Sequence, residues 1–459
     1  MLKVTLVNPL HATRYPQVPM GLALLAAVLE QAGYPVKVLD ANALNLAPDR
    51  VASLAADADV IGLTATTPTV GAAVAAARAL KQANPRQTIV LGGAHATLLP
   101  GETLRRFPEI DIIVRGEGEA TIIELLRTIE EKQPLEDVAG VTFRRNQELV
   151  SNPACPPATE LETLPFLAYH LLPLSAYHPH PPHGLASPSA ALITSRGCPY
   201  HCAYCSKPIF GNRFRAQSPE RVLAEIAHLQ EKFGVREIAF YDDVFTLNQK
   251  RAYAIAEGIL RRGIRLHWTC ETRVNLVDPE MLRLFQKAGC YAIAYGIESA
   301  DPEILKVIHK DISPEQAEEA VRWTREAGIQ TIGYFMLGSP GETADSIRRT
   351  INFARRLKLG FAQFSVTTPF PGTELYELLG ERGKDIPWEA FVYASVESRD
   401  IPTFANSGLS REELQKWSRR AYREFYLRPA YIWQRLAGMR SLNDLKLNLR
   451  GLEMLKGSV

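Results

Sequence analysis

The chain has 459 residues, 46% of them apolar, with 52 Lys and Arg against 50 Asp and Glu for a net charge of +2. That length suits two or three domains with ordinary cores, and the near-neutral balance argues neither for a nucleic-acid partner nor for a membrane-surface role. Six cysteines, no apolar run of transmembrane length and no charged leader point to a cytoplasmic protein in a reducing compartment rather than a secreted disulfide scaffold.

Residues 1–150 alternate short β-rich runs (4–7, 36–39, 60–63, 89–92, 112–114) with helix-period segments (20–31, 70–83, 119–129). Five buried strands joined by crossover helices predict an α/β, Rossmann-like, doubly wound parallel sheet, with ligands outside the carboxyl ends of its strands. Residues 151–190 carry nine prolines and read as a linker. Its histidines, His170, His178, His180 and His183, suggest a metal site, but proline flanks favour a solvated extended segment.

Over 191–395 the alternation resumes, with strands at 191–194, 237–240, 266–268, 291–295, 331–336 and 361–366. Helices follow at 219–232, 249–261, 279–287, 314–327 and 343–357. Six βα units predict a partial TIM barrel, open on one side, with its chemistry at the carboxyl ends of the strands. Residues 396–459 read as a helical extension, basic from about Arg411, whose patch from Phe425 to Tyr431 is expected to pack on the barrel.

The loop after the first barrel strand reads Arg196-Gly-Cys-Pro-Tyr-His-Cys-Ala-Tyr-Cys-Ser206, with Cys198, Cys202 and Cys205 spaced C-x3-C-x2-C. Iron–sulfur cubanes are normally held by four thiolates, so three on one loop leave one iron open to a small molecule. A structural zinc wants four closed ligands, and His201 lies poorly between two of the three cysteines to serve as the fourth. Cys155, Cys270 and Cys290 are isolated and read as small buried apolar residues. The triad, with the aromatic Tyr204 before its third cysteine, resembles the radical S-adenosylmethionine (SAM) superfamily, in which the open iron of a 4Fe-4S cluster chelates the methionine part of SAM.

That resemblance implies roles for the other strand ends. Asp242 and Asp243 would accept the methionine ammonium. Glu271 and Arg273 end the third strand, and Arg273 would pair with the SAM carboxylate. Glu298, beside Ser299, would accept the ribose hydroxyls, while Met336 and Gly338, in Phe335-Met-Leu-Gly-Ser-Pro-Gly-Glu342, would line the adenine.

A doubly wound domain before such a barrel resembles the cobalamin-binding (class B) branch of the family. The matching runs are Val7-Asn-Pro, Pro19-Met-Gly-Leu22, Leu91-Gly-Gly-Ala-His95, Arg115-Gly-Glu-Gly-Glu119, Gly338-Ser-Pro-Gly-Glu-Thr343 and Thr368-Pro-Phe-Pro-Gly-Thr-Glu-Leu375. The resemblance implies cobalamin contacts from Asn8, from Thr64, Thr66 and Thr67 under the corrin, from Gly92, Gly93 and His95 near the nucleotide tail, and from Gly116, Glu117 and Gly118 at the corrin edge. Cobalamin-dependent methionine synthases carry D-x-H-x-x-G after the first strand; here Pro9-Leu-His-Ala-Thr-Arg14 has the histidine, His11, without the aspartate or the glycine. A metal-bound imidazole without that support is poorly held, so the expectation is methylcobalamin without a protein histidine ligand. Methylthiotransferase relatives would need three further cysteines upstream, where only Cys155 lies.

Together the implied cofactors point to a C-methyltransferase. SAM cleavage would give a 5′-deoxyadenosyl radical, methylcobalamin would methylate an unactivated sp3 carbon, and each methyl would consume two SAM. Implied partners are SAM, an external electron donor such as flavodoxin or ferredoxin, and an unidentified small molecule or peptide segment, for instance a glutamine side chain. Two alternatives stay open: ring closure as in anaerobic porphyrin-ring cyclases, with Tyr241, Tyr295, Tyr334 or Gln363 moving protons or electrons, and a cobalamin-dependent sensor module.

Overall fold

The computed structural model describes residues 1–11, 13, 15–177, 184–380, 386–388, 391 and 408–437. His178, His180 and His183 of the linker, Ala12 and Arg14 of the first loop, and residues 438–459 lie outside them. The chain forms two compact units: Met1–His178 with Ser206–Arg215 and Pro387–Glu389, and Pro179–Cys205 with Ala216–Ile386 and Ala390–Val459.

In the first unit, β1 (Val4–Asn8), β2 (Val36–Asp40), β3 (Val60–Thr64), β4 (Thr88–Gly92) and β5 (Ile112–Val114) form a parallel sheet. The order is β2-β1-β3-β4-β5, continued by the antiparallel β6 (Val141–Arg145) and β7 (Glu148–Ser151). Strands such as β1, with Val4, Leu6 and Val7 all buried, are covered on both faces, as a parallel sheet requires. The covering helices include α1 (Met20–Gln31), α3 (Val70–Ala83) and α6 (Gly118–Glu130). Strand order reverses between β1 and β3, β2 being added on one side and β3 on the other, and that switch point opens a ligand crevice at the carboxyl ends. Short helices α2 (Pro48–Leu54), α4 (Ala94–Leu98) and α5 (Pro100–Arg106), and the β6–β7 hairpin, add to the expected elements. The hairpin turns through Asn146 (φ 50°) and Gln147 (φ 70°), the two left-handed residues of a type I′ turn, without the Asn-Gly pair that usually announces one.

In the second unit, β8 (Ser189–Leu192), β11 (Glu237–Phe240), β12 (His267–Thr272), β13 (Cys290–Glu298), β14 (Gln330–Leu337) and β15 (Phe361–Val366) form one parallel sheet in chain order. The two-residue strands β9 (Ser195–Arg196) and β10 (Arg215–Ala216) lie outside both main sheets. Each crossover is a helix: α7 (Pro219–Phe233), α8 (Gln249–Arg261), α9 (Pro279–Lys287), the pair α10 (Pro302–Val307) and α11 (Pro314–Glu326), and α12 (Ala344–Arg356). Ser218, Asn248, Asp278, Asp301, Ser313 and Thr343 cap their first turns, which fixes where each strand-end loop stops. The helix-facing side of the sheet is apolar and buried, from Ile238 and Phe240 through Trp268, Cys270, Ile293 and Ile297 to Phe335, Leu337 and Phe364. Tyr295 belongs to this side, fully buried with its hydroxyl 2.8 Å from Thr324 Oγ1, so it is a core residue and not the rim proton donor considered above. Cys290 is buried as well, while Cys155 of the first unit is half-buried.

After the short α13 (Glu374–Glu377), helix α14 (Arg411–Tyr426) lies along β15, the last strand. Tyr422 accepts from the Phe364 amide at 3.1 Å and donates to the Phe364 carbonyl at 3.2 Å. Tyr426 does the same for Ala362, at 3.1 and 2.8 Å, and Tyr431 of α15 (Pro429–Ala437) donates to the Gly360 carbonyl at 3.0 Å. Three phenols spaced along the helices thus take the place of a neighbouring strand. Among the described residues, no helix is long and apolar enough to cross a membrane.

Candidate active site

The cysteine loop leaves the carboxyl end of β8 and is braced from below. Asp242, 1% exposed, accepts from the Thr194 amide at 2.6 Å, the Thr194 hydroxyl at 2.7 Å and the Ser195 hydroxyl at 2.6 Å. Arg251 lies 3.7 Å from that carboxylate and donates to the Thr194 carbonyl and hydroxyl and to the Gln217 carbonyl. Asp243 accepts from the Gly197 amide at 3.1 Å, one residue before Cys198. The loop is tied further by Ala203, whose amide donates to the Ile308 carbonyl and whose carbonyl accepts from the Leu375 amide. Cys198 and Cys202 are half-buried, Cys205 is exposed, and none of the three is in a disulfide.

A second buried network stands beside the third cysteine. The Tyr204 hydroxyl donates to Glu298 Oε1 at 3.0 Å, and Lys310 Nζ donates to the same oxygen at 2.9 Å and to the Tyr204 oxygen at 3.0 Å. Burial and the Glu298 charge push the Tyr204 hydroxyl well above its ordinary range, so it stays a donor. Arg273 stacks 3.7 Å over Tyr200, sets a positive charge 3.8 Å from Cys202 Sγ and donates to the Lys310 carbonyl. Lys310 was not evident in the sequence, because it sits between two helices with no motif around it. Its neighbours His309 (φ 53°) and Asp311 (φ 51°) are both left-handed, the backbone distortion that turns the lysine inward.

In the first unit, a cavity of about 270 Å³ opens at the β1–β3 switch point. Asn8, His11, Thr13, Tyr15, Gln17, Asn42 and Thr64 line it, with the first turn of α1. His11 Nδ1 lies 3.1 Å from the Pro9 carbonyl. Gly93 (φ 94°) lets the next loop close in: a Cβ there would stand 2.7 Å from the Ala65 carbonyl and 2.9 Å from Thr64 Oγ1. Gly116 (φ 71°) borders open space, and Thr66 is exposed, bonded to Thr69.

Two family models match the chain in tandem: the B12 binding domain over residues 10–126 and the Radical SAM superfamily over residues 192–354. An uncharacterized methyltransferase of Pyrococcus horikoshii is 34% identical over 441 residues, 94% of each chain. The chain belongs to the cobalamin-binding radical SAM family. An anaerobic magnesium-protoporphyrin IX monomethyl ester cyclase of Rubrivivax gelatinosus is 29% identical over 90% of this chain and 74% of its own. Among solved structures, the radical SAM methyltransferase TsrM of Kitasatospora setae, with cobalamin and a 4Fe-4S cluster bound, superposes with a TM-score of 0.69. It is 24% identical, covering 83% of this chain and 78% of that one, and shares the fold. This radical SAM protein is therefore an enzyme of the cobalamin-dependent methyltransferase family, and its cofactors are a 4Fe-4S cluster, SAM and cobalamin.

The residues present fit those groups. Among the described residues no three His, Cys, Asp or Glu side chains converge as ligands of a single ion, whereas a cubane offers each thiolate its own iron and keeps its ligands apart. The first-unit cavity, whose described lining has no carboxylate, lysine or arginine, suits a broad, amide-rimmed disc.

Several expected contacts are corrected. Asp242 is saturated within the protein and braces the loop instead of meeting the methionine ammonium. Ser299 is buried against Thr350. Gly338 (φ 88°) makes room for Leu414, whose methyls would stand 3.0 Å from a Cβ there, so its lack of a side chain serves helix packing. His95 is fully buried, its ring nitrogens 3.3 Å from Thr67 Oγ1 and 3.2 Å from Thr103 Oγ1, which also occupies Thr67. Glu117 is spent on a buried ion pair with Arg215, and Gly118 packs near Leu25 as the first residue of α6. The expectations for Gly92, at the end of β4, and for Met336, half-buried near the end of β14, are not among these corrections.

Proposed function

We propose that the chain is a C-methyltransferase that adds a methyl group to an unactivated sp3 carbon, with Cys198, Cys202 and Cys205 as the cluster ligands. The observation that carries this reading is the trio of cysteines on one loop, none in a disulfide, braced from below by Asp242 and Asp243 and flanked by the Tyr204–Glu298–Lys310 network. When bound, the cluster and SAM supply a carbon-centred radical, and cobalamin supplies the methyl group. The protein's own part is to hold and orient. Glu298 and Lys310, both buried, form a fixed pair for the hydroxyls and charges of SAM, and Arg273 keeps a positive charge at the cluster edge. Asn8, Thr64, Gly93 and Gly116 would cradle the corrin and its tail, with His11 not required as a ligand. Electrons would come from a flavodoxin or ferredoxin of the reducing cytoplasm, and the substrate would be a small molecule or peptide segment such as a glutamine side chain.

The test is product stoichiometry with SAM and a strong reductant. Equal amounts of 5′-deoxyadenosine and S-adenosylhomocysteine per methylated product support the reading. Deoxyadenosine without any S-adenosylhomocysteine would favour the cyclase reading, which the 29% match to a cyclase over 90% of this chain keeps in view.

A further inference from the structure

The open face of the second unit's sheet carries Glu271, which the resemblance set among the cofactor contacts but whose carboxylate bonds to Tyr334 and not to the network around the cysteine loop. In a parallel sheet, paired residues share a face. Here Glu271 pairs with Ala294, Gly296 with Tyr334, Tyr334 with Gln363 and Met336 with Ser365. All of these lie opposite the apolar, helix-covered side. Ala292, Ala294 and Ile332 form a small apolar floor, with Tyr334 and Phe361 packed against it. Because the intervening strand β13 presents only Ala294 and Gly296, the Tyr334 hydroxyl reaches across it and donates to Glu271 Oε1 at 3.1 Å.

The second carboxylate oxygen, Glu271 Oε2, has no partner among the described residues. Burial and the neighbouring Asp243 raise the Glu271 carboxyl above its ordinary range, the signature of an acidic group whose environment supplies too little compensation. The nearby cations are already committed, Arg273 to the Lys310 carbonyl and the Cys202 edge, and Lys310 to Glu298 and Tyr204. This wall therefore offers acceptors to a ligand and repels anions.

We propose that Glu271 and Tyr334 are the substrate-recognition pair of the barrel. They take a hydrogen-bond-donating group, an amide or amine nitrogen or a hydroxyl, close to the carbon that is methylated, and they discriminate against carboxylate and phosphate groups. The assignment rests on the C-methyltransferase reading and gives it a substrate class. A neutral donor satisfies Oε2 without displacing the Tyr334 bond, whereas an isosteric carboxylate brings a further acceptor and a further negative charge against Oε2.

The test uses the holoenzyme reconstituted with iron, sulfide and hydroxocobalamin, and equilibrium dialysis of three probes, the N-acetyl methylamides of glutamine, glutamate and norleucine. Wild type should hold the glutamine probe at least about tenfold more tightly than the other two. Glu271→Gln should shrink the glutamine-over-glutamate preference by about tenfold, and Tyr334→Phe should weaken the glutamine probe by roughly three- to tenfold. Affinity for S-adenosylhomocysteine should stay within about twofold in both variants. No preference in wild type, or an unchanged preference in Glu271→Gln, overturns the proposal. So does a loss of S-adenosylhomocysteine affinity in that variant, which would make Glu271 part of the SAM site. Failure of the underlying reading is separate: it appears in the wild-type product ratio, not in probe selectivity.

Discussion

Around the cysteine loop, Asp242, Arg251, Arg273, Glu298 and Lys310 are buried and engaged with one another or with backbone, whereas the described lining of the cavity at the β1–β3 switch point has no carboxylate, lysine or arginine. On the proposed function, the contrast follows from what each region would hold. A cluster and a charged nucleoside need ionic partners whose own desolvation has been met in advance. A corrin with an amide rim needs shape and hydrogen bonds, which glycine loops and Asn or Thr side chains would supply without buried charge. Substitutions should therefore act through different physics in the two units.

The largest effect is expected at the cluster. Cys202→Ala, and likewise the Cys198 and Cys205 variants, should bring bound iron and 5′-deoxyadenosine formation to background while cobalamin uptake stays close to wild type, read by iron assay and visible spectrum. If cobalamin is lost in parallel, the two regions are not independent.

Next comes Asp242→Asn, which removes the anion from a buried bracket and leaves Arg251 uncompensated. Breaking such a pair costs about 3–5 kcal/mol, measurable in a denaturant titration as a lower midpoint for the second unit alone. Retention of wild-type stability would show that the bracket is held by its neutral hydrogen bonds.

The two units should also respond to pH with opposite slopes. Burial pushes the Glu342 carboxyl of the second unit up to about 7, so the folded state binds more protons than the unfolded chain between pH 4.5 and 7. Its stabilising contribution is complete below pH 4.5 and is lost as pH rises towards 7. Burial pushes His95 of the first unit down to about 4, so the unfolded chain binds more protons between pH 4 and 6.5. That contribution is complete above pH 6.5 and is lost as pH falls towards 4. Each window is worth about 3 kcal/mol. Glu342→Gln and His95→Gln should flatten the alkaline-side and acid-side losses respectively in melting curves, and an unchanged slope in either would remove that residue from the account.

The smallest expected effect is Gly93→Ala. The backbone there, φ 94° and ψ −176°, belongs to a region essentially confined to glycine, costing about 1–3 kcal/mol for other residues. Cobalamin uptake should fall several-fold with iron content unchanged, as read by absorbance after desalting.

Much of this was legible in the sequence for physical reasons. The buried parallel strands announced themselves as short continuous apolar runs, and the cysteine spacing is a covalent requirement visible without any fold. What stayed hidden is what side chains do to each other across long sequence separations. Nothing local says that Asp242 is consumed by Thr194 and Ser195, that His95 is locked between Thr67 and Thr103, or that Gly338 is small because Leu414 of a distant helix packs there. The β6–β7 hairpin carries no local turn signal because Asn146 and Gln147 adopt left-handed geometry without a glycine.

The phenols of Tyr422, Tyr426 and Tyr431 along β15 have a further consequence. A bare strand border is an invitation for foreign polypeptide to zip onto it. By meeting that border with side-chain hydroxyls in place of another backbone, the molecule ends its sheet with groups that cannot propagate pairing outward, so the half-barrel can stay unclosed without becoming a seed for self-association.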